Sequence, residues 1–229
     1  MTEKTFVEQL EKFFNTNDYL TKKEVGVGYG IADLVIVKKT SIMVDNYMLR
    51  ASHGQYNQLF KEDYFRLLKL IPDISSNRKP VHLDTLVQKT SLSKSLLKYN
   101  ILRLLEKNKF IKSEGDNYYF KINGWMPLAK EIIAIEAKLK DWKRGFLQAN
   151  RYKAFADKVY LAVPAETAHL VNRELLTKHN VGLISLSYKQ NKTDYILKPH
   201  KEKPLNNYMR NMATEYFWEK KTLKEFAVI

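Results

Sequence analysis

The chain has 229 residues, enough for one large domain or for a moderate domain that carries a smaller one, and 45% of them are hydrophobic. Lys and Arg together number 39 against 25 Asp and Glu, so the formal net charge is +14. This excess favours a polyanionic partner such as nucleic acid or an acidic membrane surface over a merely basic soluble protein, and the absence of cysteine excludes disulfides, thiolate metal sites and a Cys nucleophile.

No targeting or membrane-spanning segment is predicted from the sequence. No apolar run approaches the roughly 18 residues that a spanning helix needs. The polar N-terminal segment is not followed by the apolar core of a signal peptide. We therefore expect a cytoplasmic protein that does not associate with a membrane.

The N-terminal segment predicts one helix and two strands. Apolar residues recur at helical spacing over residues 5–14. Residues 24–30 alternate, and residues 31–37 are nearly all apolar, which is typical of a strand buried on both faces. Asp33 is the only charged residue within 31–37.

Residues 39–128 are expected to form an inserted domain, because they are too long for a loop and contain periodic segments of their own. In chain order, the pattern predicts a helix at 56–71, a linker at 73–80, a short helix at 81–90, a turn at 91–93, a longer helix at 94–107 and a hairpin at 110–122. Helix, turn, helix and hairpin is the order of a winged helix, and residues 80–122 resemble the winged-helix transcription regulators.

The helix at 94–107 has one apolar and one basic face. Leucine and isoleucine residues at helical spacing form the expected core side. The opposite face carries the candidate DNA contacts Lys94, Ser95, Lys98 and Arg103, since basic and hydroxyl side chains bind phosphates and base edges. The alternative is a three-helix packing module whose lysines are only solvated.

The C-terminal part alternates strands with helices. Strands are predicted at 132–138, 159–163, 181–186 and 195–197, and helices at 142–155, 165–178 and 205–226. This alternation predicts an α/β domain built from residues 1–38 and 129–229, interrupted by the insertion at 39–128.

Two buried strands are predicted to carry charged residues where charge is costly. Asp33 lies in the first, and Glu136 and Lys138 lie in the second, on one face because strand side chains alternate. If the two strands are neighbours, two carboxylates and an ammonium group converge. Carboxylates and the backbone carbonyl of Ala137 are oxygen ligands suited to Mg²⁺ or Mn²⁺. The alternative is an ion pair at a strand end with Asp33 capping a turn.

This pattern resembles the PD-(D/E)xK nuclease superfamily, which has the restriction-endonuclease-like fold of a mixed sheet flanked by helices. The matching residues are Asp33 on one strand and Glu136-Ala137-Lys138 on the next, over roughly 5–38 and 129–187. The resemblance implies a Mg²⁺-dependent phosphodiesterase in which Asp33 and Glu136 bind metal and Lys138 is catalytic. The chain departs from the pattern in having no proline before Asp33 and in the long separation of the two strands, which the insertion explains.

Further candidates come from the segment that follows the motif and from the first helix. Gln148 and Tyr152 resemble the Gln-x-x-x-Tyr motif of the RecB-type branch, where the pair supports the site and contacts the strand. Glu8 is placed where some members carry an additional metal-linked glutamate. Lys140, Lys143 and Arg144 directly follow the motif and would hold phosphates beside the metal.

These residues together predict a metal-dependent DNA phosphodiesterase of the endonuclease type, with a winged helix that grips duplex DNA. An alternative is a DNA-binding regulator or assembly factor on an inert nuclease-like fold, since a fold can persist without its chemistry. A third reading is RNA or single-strand processing. A homodimer is also possible, with the aromatic C-terminal helix as its contact.

Overall fold

The computed structural model describes residues 2–122, 128–190 and 192–225, which form two compact units. The first unit contains the described part of residues 1–40 and 129–217. The second contains the described part of 41–128 and 218–229. Unlike the sequence-based division, which assigned all of 129–229 to one domain, the segment from Trp218 onward belongs with the second unit.

The helices and strands occur in mixed order along the chain. The α-helices are α1 (Glu3–Asn15), α2 (Ser41–Ser52), α3 (Glu62–Leu70), α4 (Leu83–Thr90), α5 (Arg103–Lys107), α6 (Trp142–Arg151), α7 (Arg173–Lys178), α8 (Asn207–Glu215) and α9 (Lys220–Glu225). The strands are β1 (Tyr19–Gly26), β2 (Ile31–Lys38), β3 (Val81–His82), β4 (Ile111–Ser113), β5 (Tyr118–Lys121), β6 (Ile133–Ala137), β7 (Lys158–Pro164), β8 (Gly182–Ser187) and β9 (Lys192–Leu197). A π-helical segment, Leu96–Leu102, leads directly into α5.

A mixed six-stranded sheet in the order β1-β2-β6-β7-β8-β9 forms the centre of the first unit. β6, β7 and β8 pair in parallel, and the remaining neighbours pair antiparallel. The parallel strands are nearly continuous apolar runs, as expected for strands covered on both faces. The predicted α/β class, with a mixed sheet flanked by helices, is confirmed.

Helix α1 covers one face of this sheet. Its apolar stripe, Phe6, Val7, Leu10 and Phe14, is buried against alternate residues of the central strands, among them Leu34 and Ile135. The spacing of the stripe is that of an amphipathic helix, and Thr2 caps its start by accepting a hydrogen bond from the Thr5 amide. The opposite face of the sheet, toward α6, therefore receives the residues that alternate with this set, including Glu136.

The start of β6 is fixed by a buried ion pair. Asp157 accepts a hydrogen bond from the Ile132 amide at 2.7 Å, and Arg210 of α8 lies 3.0 Å from the same carboxylate. The Arg210 guanidinium also donates to the carbonyls of Ala129 and Lys130. These contacts fix the backbone directly before β6, and they therefore also fix the position of Glu136 and Lys138 farther along the chain.

The second unit contains a small antiparallel sheet in the order β3-β5-β4. It follows the order helix α3, strand β3, helix α4, the helix from Leu96 to Lys107, and the hairpin β4–β5. Ser91 has φ +57°, so α4 ends in a left-handed residue, and the turn at 91–93 leads into the next helix as predicted. The Trp218 ring packs against Tyr47 at 5.0 Å between centroids, which ties the C-terminal segment to α2.

Several predicted elements differ in extent. The helix expected over 56–71 begins only at Glu62, and α2 precedes it unpredicted. The helix expected over 205–226 is interrupted between α8 and α9. Among the helices in the described ranges, none is both long enough and apolar enough to cross a membrane.

Candidate functional site

The pairing of β2 with β6 brings the two predicted acids together. Leu34 pairs with Ile135 in an antiparallel register, and the next position along places Asp33 opposite Glu136. The two strands are distant in sequence but adjacent in the sheet. The convergence of Asp33, Glu136 and Lys138, which the sequence predicted only if the strands were neighbours, is present in the structure.

Asp33 is held against the backbone of β6. Its Oδ2 accepts a hydrogen bond from the Ala137 amide at 2.8 Å. Burial raises the pKa of the Asp33 carboxyl above its ordinary value, although the Ala137 amide and the Lys138 ammonium act in the opposite direction. An ionised Asp33 is therefore costly here unless a further positive charge approaches it.

Glu136 is the most deeply buried charged group of the site, with 1% of the residue exposed. Its Oε1 lies 2.8 Å from Nζ of Lys138, and its Oε2 accepts a short hydrogen bond from the Tyr152 hydroxyl. Burial raises the pKa of Glu136, and the Asp33 charge adds to the rise, while Lys138 and Tyr152 lower it. Two adjacent carboxyls with raised pKa values favour binding of a cation.

Lys138 lies between two carboxylates. Besides Glu136, its Nζ is 3.6 Å from Oε2 of Glu3 at the start of α1. Burial alone would lower the pKa of Lys138, but the Glu136, Asp33 and Glu3 carboxylates raise it above its ordinary value. The side chain is therefore an ammonium ion at neutral pH. This excludes it as a proton acceptor in the resting site and favours a role as a fixed positive charge.

Helix α6 packs directly on the lysine. A Cβ atom at Gly145 would lie 2.6 Å from Cγ of Lys138 and 2.7 Å from Cδ1 of Leu161. Distances this short leave no room for a side chain. Gly145 therefore lets α6 approach β6 and β7 closely enough to hold the stem of Lys138 in place.

Tyr152, directly after α6, is a support of the site and not part of its surface. The residue is 2% exposed, and its hydroxyl lies within hydrogen-bond distance of both Glu136 and the Ile31 carbonyl, the latter at 2.7 Å. Burial raises the pKa of the Tyr152 hydroxyl further above its ordinary value, so it remains a donor. The sequence placed Tyr152 among the nucleic-acid contacts, but a side chain this buried offers almost no surface to DNA.

Gln148 is one turn before Tyr152 on α6. Its Oε1 is buried and has no hydrogen-bond partner within the described part of the chain. Within the described residues Gln148 forms no hydrogen bond with Asp33 or Glu136, so the structure does not join it to the acids. The orphaned oxygen is nevertheless an unsatisfied acceptor, which normally requires a partner.

The predicted nucleic-acid residues fall on separate units. Lys140, Lys143 and Arg144 are exposed in the first unit, at the start of α6 beside the lysine of the motif. The set on the second unit is also open to solvent, with Lys94, Ser95 and Arg103 exposed and Lys98 partly so. Of these, Lys94 forms an ion pair with Asp84 at 2.8 Å.

Glu8, the weaker acidic candidate, lies with Asp33 in a cleft of about 370 Å³ between α1 and the β1–β2 pair.

The donor set fits a hard cation with an incomplete protein shell. No group of three His, Cys, Asp or Glu side chains able to hold a metal occurs in the described ranges. The oxygen donors available are the Asp33 and Glu136 carboxylates and the Ala137 carbonyl, and Mg²⁺ commonly keeps several waters beside one or two carboxylates. Burial raises the pKa values of both acids, so added positive charge nearby would favour their ionised forms. The residues therefore fit Mg²⁺ or Mn²⁺ better than a cation that demands a full protein cage.

Sequence reasoning missed two features of this site, Glu3 and Gly145. Glu3 was not singled out, because its contact with Lys138 depends on where α1 docks. A supporting role for Tyr152 was implied by the Gln-x-x-x-Tyr resemblance, but its bond to Glu136 depends on how α6 crosses the sheet. Gly145 did carry a signal, since an isolated glycine inside a helical pattern is unfavourable and indicates a close approach of the backbone.

Comparison with known proteins assigns no family and no function to the chain. A scan of family models and searches of curated proteins and of solved structures found no match to the chain.

Proposed function

We propose that the protein is a metal-dependent phosphodiesterase that cleaves DNA. The observation that carries the proposal is that Asp33, Glu136 and Lys138 come together where two adjacent buried strands meet. The Nζ atom of Lys138 lies 2.8 Å from Oε1 of Glu136. Burying charged groups destabilises a fold unless they are paired, and even a paired set is often no more stable than apolar residues. Such a set at one end of a sheet is typical of a reaction centre.

Each side chain has a role that follows from its surroundings. Asp33, Glu136 and the Ala137 carbonyl would hold Mg²⁺ or Mn²⁺, which when bound polarises a phosphodiester and lowers the pKa of a coordinated water. Lys138, a permanent ammonium at neutral pH, would stabilise the negative charge that develops on the phosphate oxygens. Tyr152 holds Glu136 in place by donating a hydrogen bond to its Oε2.

Nucleic acid is the favoured substrate on charge. The chain carries a net charge of +14, and Lys140, Lys143 and Arg144 are exposed directly after the site strand. In the second unit, the order of helix, strand, two helices and hairpin supports a winged helix that binds duplex DNA. Lys94, Ser95, Lys98 and Arg103 are its proposed contacts.

The runner-up is a DNA-binding protein whose nuclease-like core is inert. The observation in its favour is that Lys138 and Glu136 neutralise one another at 2.8 Å, a pair that is also compatible with a purely structural role. Both hypotheses share the basic surface, so only cleavage separates them.

The test is cleavage of supercoiled plasmid by the wild-type protein in Mg²⁺, Mn²⁺ or EDTA, beside Glu136→Ala. The matched control is Glu166→Gln, which removes an exposed carboxylate from another part of the first unit. We expect metal-dependent nicking by the wild type and the control and none by Glu136→Ala. A wild type that binds the same DNA but leaves it intact in both metals would favour the inert binding protein.

A further inference from the structure

The first unit has a second concave site, separate from the cleft that contains Glu8 and Asp33. It is a groove of about 700 Å³ whose lining residues are Tyr29, Asn150, Arg151, Ala154, Leu205 and Asn206. The turn between β1 and β2, the end of α6 and the segment before α8 form its three walls. Its volume falls within the range of about 300–1,000 Å³ that is usual for small-ligand sites.

The groove borders the catalytic strands through Tyr152. Two of its lining residues, Arg151 and Ala154, flank Tyr152 in sequence, and the Tyr152 hydroxyl bonds to Glu136. The opposite wall ends at Ile31, whose carbonyl lies 2.7 Å from the same hydroxyl. A ligand in the groove would therefore contact the residues on either side of Tyr152 in sequence, and Tyr152 itself bonds to Glu136.

Tyr29 is presented to this groove by a turn that is held in place. The ring is unusually accessible for an aromatic side chain, with 73% of the residue exposed. The Tyr216 hydroxyl donates to the Gly26 carbonyl at 3.0 Å. Gly28 has φ +66°, and a Cβ atom there would lie 2.6 Å from Sδ of Met209, so the turn packs tightly on α8. An exposed ring on an anchored turn loses little conformational entropy when a ligand stacks on it.

The remaining walls supply an apolar surface, a positive charge and amides. Leu205 is 84% exposed. Arg151 is exposed, and within the described ranges it forms no ion pair. Asn150 is half-buried beside it, at the last turn of α6. An aromatic face, an aliphatic side chain and a guanidinium together are the groups that bind the base and the phosphate of an unpaired nucleotide.

We propose that this groove binds one unpaired nucleotide of the substrate strand, with its base stacked on Tyr29 and its phosphate paired with Arg151. In an intact duplex the bases stack on each other and present only their edges, so a base reaches Tyr29 only where the strand is single or locally open. This inference rests on the proposed function, and it adds that the substrate strand is single or locally open where it enters this groove.

The test is a binding measurement that requires no cleavage. A short single-stranded oligonucleotide that contains 2-aminopurine and the matched duplex are titrated with protein in EDTA, and anisotropy and 2-aminopurine fluorescence are recorded. The variants are Tyr29→Leu, Tyr29→Phe and Arg151→Gln. The control is Arg173→Gln, which removes the same charge from an exposed arginine that does not line the groove.

We expect Tyr29→Leu to weaken single-strand binding about tenfold and to abolish the quenching of 2-aminopurine, with duplex binding unchanged. Tyr29→Phe should behave as the wild type. Arg151→Gln should reduce the slope of log affinity against log salt by about one unit, and Arg173→Gln should not. Equal single-strand affinity and quenching for the wild type and Tyr29→Leu would overturn the inference.

The same proteins are then assayed for cleavage in Mg²⁺ on DNA with an unpaired flap. If wild type and Tyr29→Leu bind alike and the wild type cleaves, the groove assignment fails and the proposed function stands. If binding depends on Tyr29 but neither Mg²⁺ nor Mn²⁺ supports cleavage, the groove assignment stands and the proposed function fails.

Discussion

The Nζ atom of Lys138, the residue directly after β6, lies 2.8 Å from Oε1 of Glu136, which is two residues earlier in the sequence. Strand geometry alone puts these two side chains on one face, but it does not decide what charge they carry. The Glu136, Asp33 and Glu3 carboxylates raise the pKa of Lys138 against the effect of burial, and burial raises the pKa of Glu136. The site therefore combines a stable ammonium with carboxyls whose ionisation burial makes less favourable.

Asp33→Asn is expected to stabilise the protein at neutral pH in the absence of divalent metal. The pKa of Asp33 is raised in the folded state, so the protonated carboxyl stabilises the folded state relative to the unfolded one. This stabilisation is fully present below the unfolded pKa near 3.8 and is lost as pH rises through the folded pKa. The side-chain amide that Asp33→Asn introduces would still offer an oxygen that accepts the hydrogen bond from the Ala137 backbone N–H, but it would carry no buried charge. We expect an increase of about 2–4 °C in Tm, the shift that about 1 kcal/mol produces in a chain of this size.

Thermal unfolding of wild type and Asp33→Asn at pH 7 and at pH 3.5 checks this expectation. The difference should be largest at pH 7 and shrink toward pH 3.5, where the carboxyl is mostly protonated in both states. A variant that is less stable than the wild type at pH 7 would show that the ionised carboxylate is already well compensated.

Mg²⁺ is expected to raise the Tm of the wild type and not that of Asp33→Asn. A ligand that binds only the folded state stabilises it in proportion to the logarithm of its concentration, about 2.7 kcal/mol at 100 times Kd. Differential scanning fluorimetry across a Mg²⁺ series measures the effect, with Glu166→Gln as the control that should follow the wild type. An identical rise in all three proteins would locate the cation elsewhere.

Tyr152→Phe is expected to shift the acid limb of the cleavage profile to higher pH. The hydroxyl lowers the pKa of Glu136, so its loss lets that pKa rise further, and a larger share of Glu136 is protonated at a given pH. A buried acceptor without its donor also costs about 1–3 kcal/mol of stability. Single-turnover rates from pH 5 to 9 and a melting curve test both effects, with Tyr195→Phe as the control; an unshifted acid limb would contradict this role.

Gly145→Ala tests whether the close approach of α6 positions Lys138. The added methyl would meet Cγ of Lys138 and Cδ1 of Leu161 below 3.0 Å, so one of them must move. Overpacking of this kind usually costs about 1–3 kcal/mol. We expect a lower Tm together with a lower cleavage rate, whereas Ala149→Gly on the same helix should lower the Tm without a comparable loss of rate. Unchanged cleavage by Gly145→Ala would show that the lysine is not held by α6.

The sequence predicted the acids and the lysine because the signal was local. Charged residues inside apolar strands stand out in any window, and the period of two places Glu136 and Lys138 together. Most strands of the first unit were found for the same reason, since their apolar runs are continuous. The pairing of β2 with β6 is not local, and it could be stated from the sequence only as a condition.

The features that escaped prediction depend on tertiary packing. Helix α2 buries Met43, Tyr47 and Arg50 along one side. Because one of these buried residues is an arginine, the sequence does not show the apolar periodicity that predicts a helix. Arg50 is accommodated because its guanidinium lies 4.3 Å from the Trp218 ring centroid and donates to the carbonyls of Gln55 and Asn57. The break between α8 and α9 lies next to Trp218, whose ring packs against Tyr47 of α2.

The most direct test of the account is the cleavage rate of Lys138→Met and Lys138→Arg in Mg²⁺, measured beside DNA binding in Ca²⁺ and Tm for the same preparations. If the ammonium stabilises charge on the transferred phosphate, Lys138→Met should bind DNA as the wild type does and cleave it about 100- to 1,000-fold more slowly. Lys138→Arg should recover part of that loss because it retains the charge. Equal cleavage rates for the wild type and Lys138→Met would contradict the account, because the buried set of Asp33, Glu136 and Lys138 would then serve the fold alone.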